Sequence, residues 1–417
     1  MDLDEVIYNV ACGLDIHFAF VTACLVVSVP KKRPRIEEKQ FPTTQKGLRS
    51  LLAWLEANHC EAVGMEATGV YWIPVYSALE GSQMKLIVGN PQHMKNARGQ
   101  KTDRKDARWI AGQVRHDRIK PSFVPTPEFR GARKLARARR QMVHAQTSIR
   151  NEIQRNLAEA GITLGAVVSD VFGVSGRAIL EALAEGRSVQ DELPTCLKAG
   201  LKKKLAPVAA ALEAPLDEIS RSLLAILLKR LEELEQKVED VETMLFQQLA
   251  PHAEKLALLV QIPGISKISA AIILAEIGVD MTAWPTEKHF SVWAGVAPGC
   301  KQTGGRNKRA PVRKGNPFLC SILMECAGAA ARTKSCHLQG KYYKLVAQLG
   351  SKKKARMAIA HKLALIVYRN LGANRAYEEP KPKPLSEKTK RKILKTRLRD
   401  IEKLGYRVSI ELMEVAG

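Results

Sequence analysis

The order of predicted elements in the first 125 residues leaves few folds open. Tyr8 to Asp15 is an apolar run closing on Gly13-Leu14-Asp15, which predicts a buried strand. Phe18 to Val29 is rich in Phe, Val, Thr and Cys and predicts a second strand, joined by a tight turn near His17. Lys31 to Pro42 is polar and predicts a poor third strand plus loop. Leu48, Leu51, Leu52 and Leu55 recur at helical spacing, so Thr44 to Asn58 reads as a helix. Cys60 to Met65 is a short strand ending at Glu66, Ala67-Thr68-Gly69 a turn, Val70 to Leu79 a helix, and Lys85 to Val88 a strand. After the loop Gly89 to Gln100, a helix begins near Thr102 and carries Asp103 and Asp106.

Helices placed between later strands require crossovers, which imply a partly parallel sheet. The order strand, strand, poor strand, helix, strand, helix, strand, helix is that of an α/β ribonuclease-H-like (RuvC-like) domain. There the first strand, the strand after the first helix and a late helix converge at one edge. Asp15, Glu66, Asp103 and Asp106 occupy those places. Thr102 suits an N-cap, and acids in a first helical turn suit the positive end of the helix dipole. Residues three apart share a helix face, so Asp103 and Asp106 point the same way. Taken alone, Asp-x-x-Asp describes a well-capped surface helix; the two acids at strand ends favour a site. Four converging carboxylates repel unless cations bind, and oxygen ligands suit Mg2+ or Mn2+.

The charge points to a polyanion. Net charge is +24 and the pI is near 9.8, a balance suited to nucleic acid, with a ribosome-bound or membrane-surface protein as the alternative. No basic segment leads an apolar run at the N-terminus, and no apolar stretch reaches membrane-spanning length, so a cytoplasmic protein is expected. Eight scattered cysteines without a Cys-x-x-Cys pair fit reduced thiols and argue against a zinc site.

The rest of the chain is largely helical. Arg130, Arg133, Arg137 and Arg140 step by three and four and predict a basic helix face from Glu128 to Glu159, a surface for phosphate backbones or a solvated face. Leu224, Leu227, Leu231, Leu234, Val238, Val241 and Leu245 form a heptad seam, predicting a coiled-coil region. Its partner is either the basic helix of the same chain or a second subunit; the unpartnered stripe favours an intermolecular contact. Ile262-Pro263-Gly264-Ile265 between apolar helices predicts a helix-hairpin-helix, with Gly264 letting backbone amides approach phosphate. Lys301 to Lys314 reads as a flexible basic loop containing Lys301, Arg306, Lys308, Arg309, Arg313 and Lys314. Thr303 is its one hydroxyl, beside two glycines, and is a phosphate contact or a nucleophile. From Pro380 to Arg399 nine Lys or Arg accompany a single Glu387, a basic tail expected to be disordered or to fold on nucleic acid. The division is 1–125, an α/β domain; 126–250, basic helix and coiled coil; 251–375, a mainly α C-terminal domain; and 376–417, the tail.

Gly-Leu-Asp15, Met-Glu66-Ala-Thr-Gly and Lys-Thr-Asp103-Arg-Lys-Asp106-Ala, followed by Ile-Pro-Gly-Ile, Trp-Ala-Gly-Val-Ala-Pro-Gly and Arg-Lys-Gly-Asn-Pro, together resemble the insertion-sequence-110 family of bacterial DEDD transposases. The resemblance runs to about Gly372. It implies cut-and-rejoin recombination of an insertion element in the bacterial cytosol, near the nucleoid, with Asp15, Glu66, Asp103 and Asp106 holding the metal. It also implies a serine nucleophile in the C-terminal loop, guidance by a structured RNA, and a homodimer or tetramer. Here Thr303 stands where that serine is expected, and its extra methyl restricts χ1 and crowds attack. Ser291, the nearest upstream serine, lies in an apolar run and reads as structural. Two rivals remain: a metal-dependent DNA junction endonuclease using water, and a non-catalytic nucleic-acid-binding protein with a decayed site.

Overall fold

The computed structural model describes residues 5–29, 32–67, 69–94, 103–197, 204–299, 301–308, 310–380 and 387–409. The chain forms two compact units, Met1–Thr126 and Pro127–Gly417. The first is a five-stranded mixed sheet in the order β3-β2-β1-β4-β5. The strands are β1 (Val10–Ile16), β2 (Phe20–Val27), β3 (Arg35–Pro42), β4 (Ala62–Glu66) and β5 (Lys85–Gly89). β2 runs antiparallel to both β1 and β3, whereas β1, β4 and β5 are parallel. Helices α1 (Gln45–Ala57) and α2 (Trp72–Leu79) make the crossovers; α3 (Pro91–Met94) is one turn, and α4 is Asp103–Arg115.

β3 is a full strand, paired to β2 from Arg35↔Val27 to Pro42↔Phe20. Polar composition does not prevent this, because an edge strand needs only backbone pairing on one side and tolerates charge on its surface. Glu38 of β3 receives Arg108 Nη2 at 2.7 Å and so ties the sheet edge to α4.

Side-chain parity gives the sheet two faces. Cys12, Leu14, Val63, Met65 and Val88 join Leu48, Leu51, Leu55, Val75 and Leu79 in the core beneath α1 and α2. Ala11, Ala62 and Ile87 pack instead with Ile110 and Val114 of α4. The α4 face is built from small residues. A Cβ on Gly13 would lie 2.2 Å from Ala107 O and 2.3 Å from Ala111 N, so only glycine allows α4 to rest on β1.

The second unit is helical. α5 (Pro127–Glu159) lies antiparallel to α10 (Glu218–Gln248), with α6 (Leu164–Val167), α7 (Val174–Ala184), α8 (Val189–Cys196) and α9 (Leu205–Ala210) between them in sequence. Opposed contacts set the antiparallel sense: Asn156 Nδ2 donates to Ser220 O at 2.9 Å, Arg150 to Glu235 at 2.9 Å, and Arg139 to Glu242 at 2.6 Å. The heptad seam is therefore covered within the chain by the basic helix, the first of the two partners open to it. Leu224, Leu227 and Leu231 are buried in a core that includes Ile149, Ile153 and Leu157 of α5.

Four further helices pack beyond this pair: α11 (Ala253–Val260), α12 (Lys267–Ile277), α13 (Glu287–Trp293) and α14 (Pro317–Ala330). α15 (His337–Leu349) and α16 (Lys352–Gly372) follow. Trp284, Phe290, Trp293 and Tyr368 form an aromatic cluster, and Tyr368 Oη donates to Trp284 O at 2.8 Å. The tail is not without structure, since α17 spans Glu387–Glu402. No described helix is long and apolar enough to cross a membrane. The seven described cysteines are free.

Candidate metal centre

β1 ends in Asp15-Ile16 and turns at His17; β4 ends at Glu66; α4 begins at Asp103. These places come together on the α4 face. Register pairs Leu14 with Met65, so Asp15 and Glu66 occupy neighbouring positions at the carboxyl ends of parallel strands. Glu66 shares the parity of Ala62 and Gly64, which face α4. The Gly13 contact sets Ala107, one turn into α4, against β1, and thereby holds Asp103 at the end of that strand.

The close group is Asp15, His17 and Asp103, whose donor atoms all lie within 4.8 Å of one another. His17 Nε2 is 3.2 Å from Asp15 Oδ2 and 3.4 Å from Asp103 Oδ1. Burial pushes the Asp15 carboxyl above its ordinary range; His17 opposes that rise, and the charges of Asp103 and Asp106 add to it. Desolvation thus leads, with the carboxylate repulsion read from sequence as a smaller contribution. Among the described residues Glu66 and Asp106 share the face without joining the close triad.

The donor set fits a divalent cation. Adjacent ligands of an octahedral Mg2+ or Mn2+ stand about 3 Å apart, close to the two distances His17 makes. Two carboxylates and an imidazole mix hard oxygen with a nitrogen donor, a combination manganese accepts more readily than magnesium. No periodicity marks His17 in the sequence; its one signal is an imidazole two residues beyond a strand-terminal aspartate.

The remaining candidates lie in the second unit. Lys301–Thr303 and Arg306–Lys308 form a β-hairpin, β6 and β7, rather than a flexible loop. Gly304 and Gly305 turn it at φ +57° and +71°, the positive values that a tight hairpin turn requires. Thr303 is exposed beside the turn. The hairpin's neck is closed by glycines. A Cβ on Gly299 would lie 2.1 Å from Pro311 O, and one on Gly315 would lie 2.4 Å from both Gly295 N and Trp293 O. Arg313 and Lys314 are exposed, while Arg309 and the side chains of Lys301, Arg306 and Lys308 lie outside the described residues, as do Lys101 and Thr102. Ser291 is buried, and its hydroxyl donates to Lys288 O at 2.9 Å.

The basic stripe on α5 is partly neutralised from elsewhere. Glu276 of α12 is fully buried and receives Arg137 Nε at 2.9 Å and Nη2 at 3.0 Å; Arg133 Nε lies 3.3 Å away. Burial pulls the Arg133 guanidinium down to about 10, Glu276 opposing and Arg137 assisting. Asn316 Nδ2 also donates to Glu276, at 2.8 Å, while its side-chain oxygen caps α14 by accepting from Phe318 N and Leu319 N. Arg140 stands over the Phe318 ring at 5.0 Å, and Arg130 is half-buried. Arg133 and Arg137 therefore anchor the base of the hairpin rather than presenting a free cationic face. Gly264, at φ +88°, sits between α11 and α12 against α14, where a Cβ would meet Cys326 O at 2.4 Å. The structure gives it a packing role.

A mixed-sheet domain bearing acids at adjacent strand ends and at a helix start, followed by a helical unit with a β-hairpin, is an architecture open to more than one class of protein. The matches to known proteins narrow it. A transposase family model, DEDD_Tnp_IS110, matches residues 12–162, and another, for the transposase IS116/IS110/IS902 family, matches residues 256–344. The chain belongs to the IS110 family of transposases. It is 27% identical over 326 residues to a probable family 20 transposase of Pseudomonas aeruginosa, covering 76% of this chain and 85% of that protein. It is 24% identical over 325 residues to the transposase for insertion sequence element IS1111A of Coxiella burnetii, covering 76% of this chain and 79% of that protein.

Proposed function

We propose that this chain cuts and rejoins DNA strands at the ends of an insertion element, using a divalent metal held by Asp15, Glu66, Asp103 and Asp106, with His17 beside them, and the Thr303 hydroxyl as nucleophile. The observation that carries this reading is the convergence of Asp15, His17 and Asp103 where β1 ends and α4 begins, in a chain of this family. The strand order β3-β2-β1-β4-β5 supports the ribonuclease-H-like reading. A bound metal would polarise the scissile phosphate and stabilise charge on the attacking and leaving oxygens. Asp15, Asp103 and their neighbours would fix its position. Thr303 Oγ1 would form a bond to phosphorus as the P–O bond to the leaving sugar oxygen breaks, its proton passing to solvent and the leaving oxygen taking one up. The protein–DNA ester would conserve bond energy for rejoining.

Guidance by a structured RNA and assembly as a dimer or tetramer belong to the same proposal and rest on the resemblance. The division at 125, 250 and 375, with Arg130, Arg140, Arg313, Lys314 and the tail as nucleic-acid contacts, belongs to that proposal too and rests on element order, charge and residue spacing. The test is a pair of variants on supercoiled donor DNA. Asp103→Asn should abolish strand cleavage while leaving DNA affinity nearly unchanged. Thr303→Ala should remove a denaturation-resistant protein–DNA adduct, and Thr303→Ser should preserve it. Cleavage to free ends without an adduct in the wild-type protein would instead establish the water-using endonuclease.

A further inference from the structure

The turn between β1 and β2 does more than reverse the chain. Its middle residue, Phe18, is 80% exposed, an unusual position for a large aromatic ring. Tyr71, just before α2, is 45% exposed, and the two rings meet edge to face with centroids 5.9 Å apart. Val70, 66% exposed, continues the apolar surface. The turn is fixed rather than loose. His17 N donates to Phe20 O at 2.9 Å; Thr43 N donates to Ala19 O at 3.1 Å; and Thr43 Oγ1 donates to Phe18 O at 2.5 Å. The backbone thus holds Phe18 out into solvent.

The location gives this exposure a direction. Phe18 follows His17, which touches both Asp15 and Asp103, and Tyr71 lies five residues beyond Glu66. The aromatic pair therefore extends from both strand ends that supply the carboxylates. Arg104, 75% exposed on the first turn of α4, turns toward Glu38 of β3, its Nε 4.0 Å from the Glu38 carboxylate. Exposed aromatic rings are the elements on which proteins stack unpaired nucleotides, because every base offers a π-face. A paired base within a duplex presents no free face to stack on.

We propose that Phe18 and Tyr71 form a stacking platform for an unpaired base of the DNA strand whose phosphate lies at the carboxylate cluster. The platform selects strands that are opened at the cutting position. This rests on the metal-site reading above, so the test is carried out without metal and without cleavage. The probe is an oligothymidylate carrying one 5-iododeoxyuridine, which crosslinks to stacked aromatic side chains under long-wavelength light.

The expected result is a crosslink mapped by mass spectrometry to Phe18 or Tyr71. Phe18→Ala should weaken oligothymidylate binding about tenfold, Phe18→Trp should restore it, and duplex affinity should hardly change. Three results would each overturn the platform: crosslinks confined to residues beyond 127, equal losses on single-stranded and duplex DNA, or an altered sedimentation coefficient for Phe18→Ala with unchanged oligothymidylate affinity, which would make the patch a protein interface. Preference for an oligouridylate RNA over the DNA probe would overturn the assignment to DNA. Cleavage by the wild-type protein and its loss in Asp103→Asn are scored separately, so either proposal can fail alone.

Discussion

Gly13→Ala tests how the fold brings the acids together. A Cβ at this position would lie 2.2 Å from Ala107 O, 2.3 Å from Ala111 N and 2.9 Å from the Ile110 carbonyl carbon, all backbone atoms of α4. Ordinary contact begins at 3.4 Å, so relieving the first clash needs about 1 Å of movement, and no rotamer change supplies it. Overpacking of this kind costs about 1–3 kcal/mol. The retreat of α4 also carries Asp103 away from Asp15 and His17, by a third or so of their present separation. Two other glycines are internal controls. A Cβ on Gly64 meets the Val114 Cγ2 tip at 2.2 Å, a side-chain atom able to move. Gly112 lies on α4 with nothing within 4 Å, so Gly112→Ala should stabilise the helix by about 0.8–1 kcal/mol. Urea unfolding followed by circular dichroism gives stability, and titration calorimetry with Mn2+ gives metal affinity. Gly13→Ala should lose both, Gly64→Ala less of each, and Gly112→Ala neither. A Gly13→Ala protein with wild-type stability and Mn2+ affinity would refute the argument that a glycine contact positions the centre.

Asp15→Asn should raise the melting temperature of metal-free protein at neutral pH. Asp15 has a raised carboxyl pKa in the fold, so the native state binds more protons than the unfolded chain and loses stability as pH climbs through that range; the gain should vanish below the ordinary carboxylate pKa. Leu231→Ala, at a fully buried seam position, should cost about 2–5 kcal/mol in unfolding experiments without changing the sedimentation coefficient. Dissociation of an oligomer by that substitution would show the seam to be an interface between subunits. Glu276→Ala leaves Arg133 and Arg137 without their buried acid and removes a partner of Asn316; it should cost about 3 kcal/mol and speed hydrogen exchange at the start of α14. DNA affinity should fall steeply with salt, and truncation after Pro380 should lower the slope of log affinity against log salt without changing sequence preference.

What the sequence alone determined was local. Apolar alternation and helical spacing marked β1, β2, α1, α5 and α10, because side-chain period follows directly from backbone geometry. The acids at 15, 66, 103 and 106 were legible because they end or begin such elements. The heptad showed that α10 needs a partner, and only packing decided that the partner is α5. Tertiary structure decided the rest wherever a residue's state depends on distant chain. β3 forms despite its polar run because β2 offers its backbone edge. The arginines at 133 and 137 are spaced like a phosphate-binding stripe, yet a buried glutamate 143 and 139 residues away in sequence claims them. Gly264 fits a phosphate-binding turn in isolation, but α14 occupies the space beside it. His17 carried no periodic signal, and it joins Asp15 and Asp103 only because Gly13 lets a helix ninety residues downstream settle onto β1. Spacing along a chain reports what a segment offers to its surroundings; charge compensation and close approach depend on which other segment arrives there.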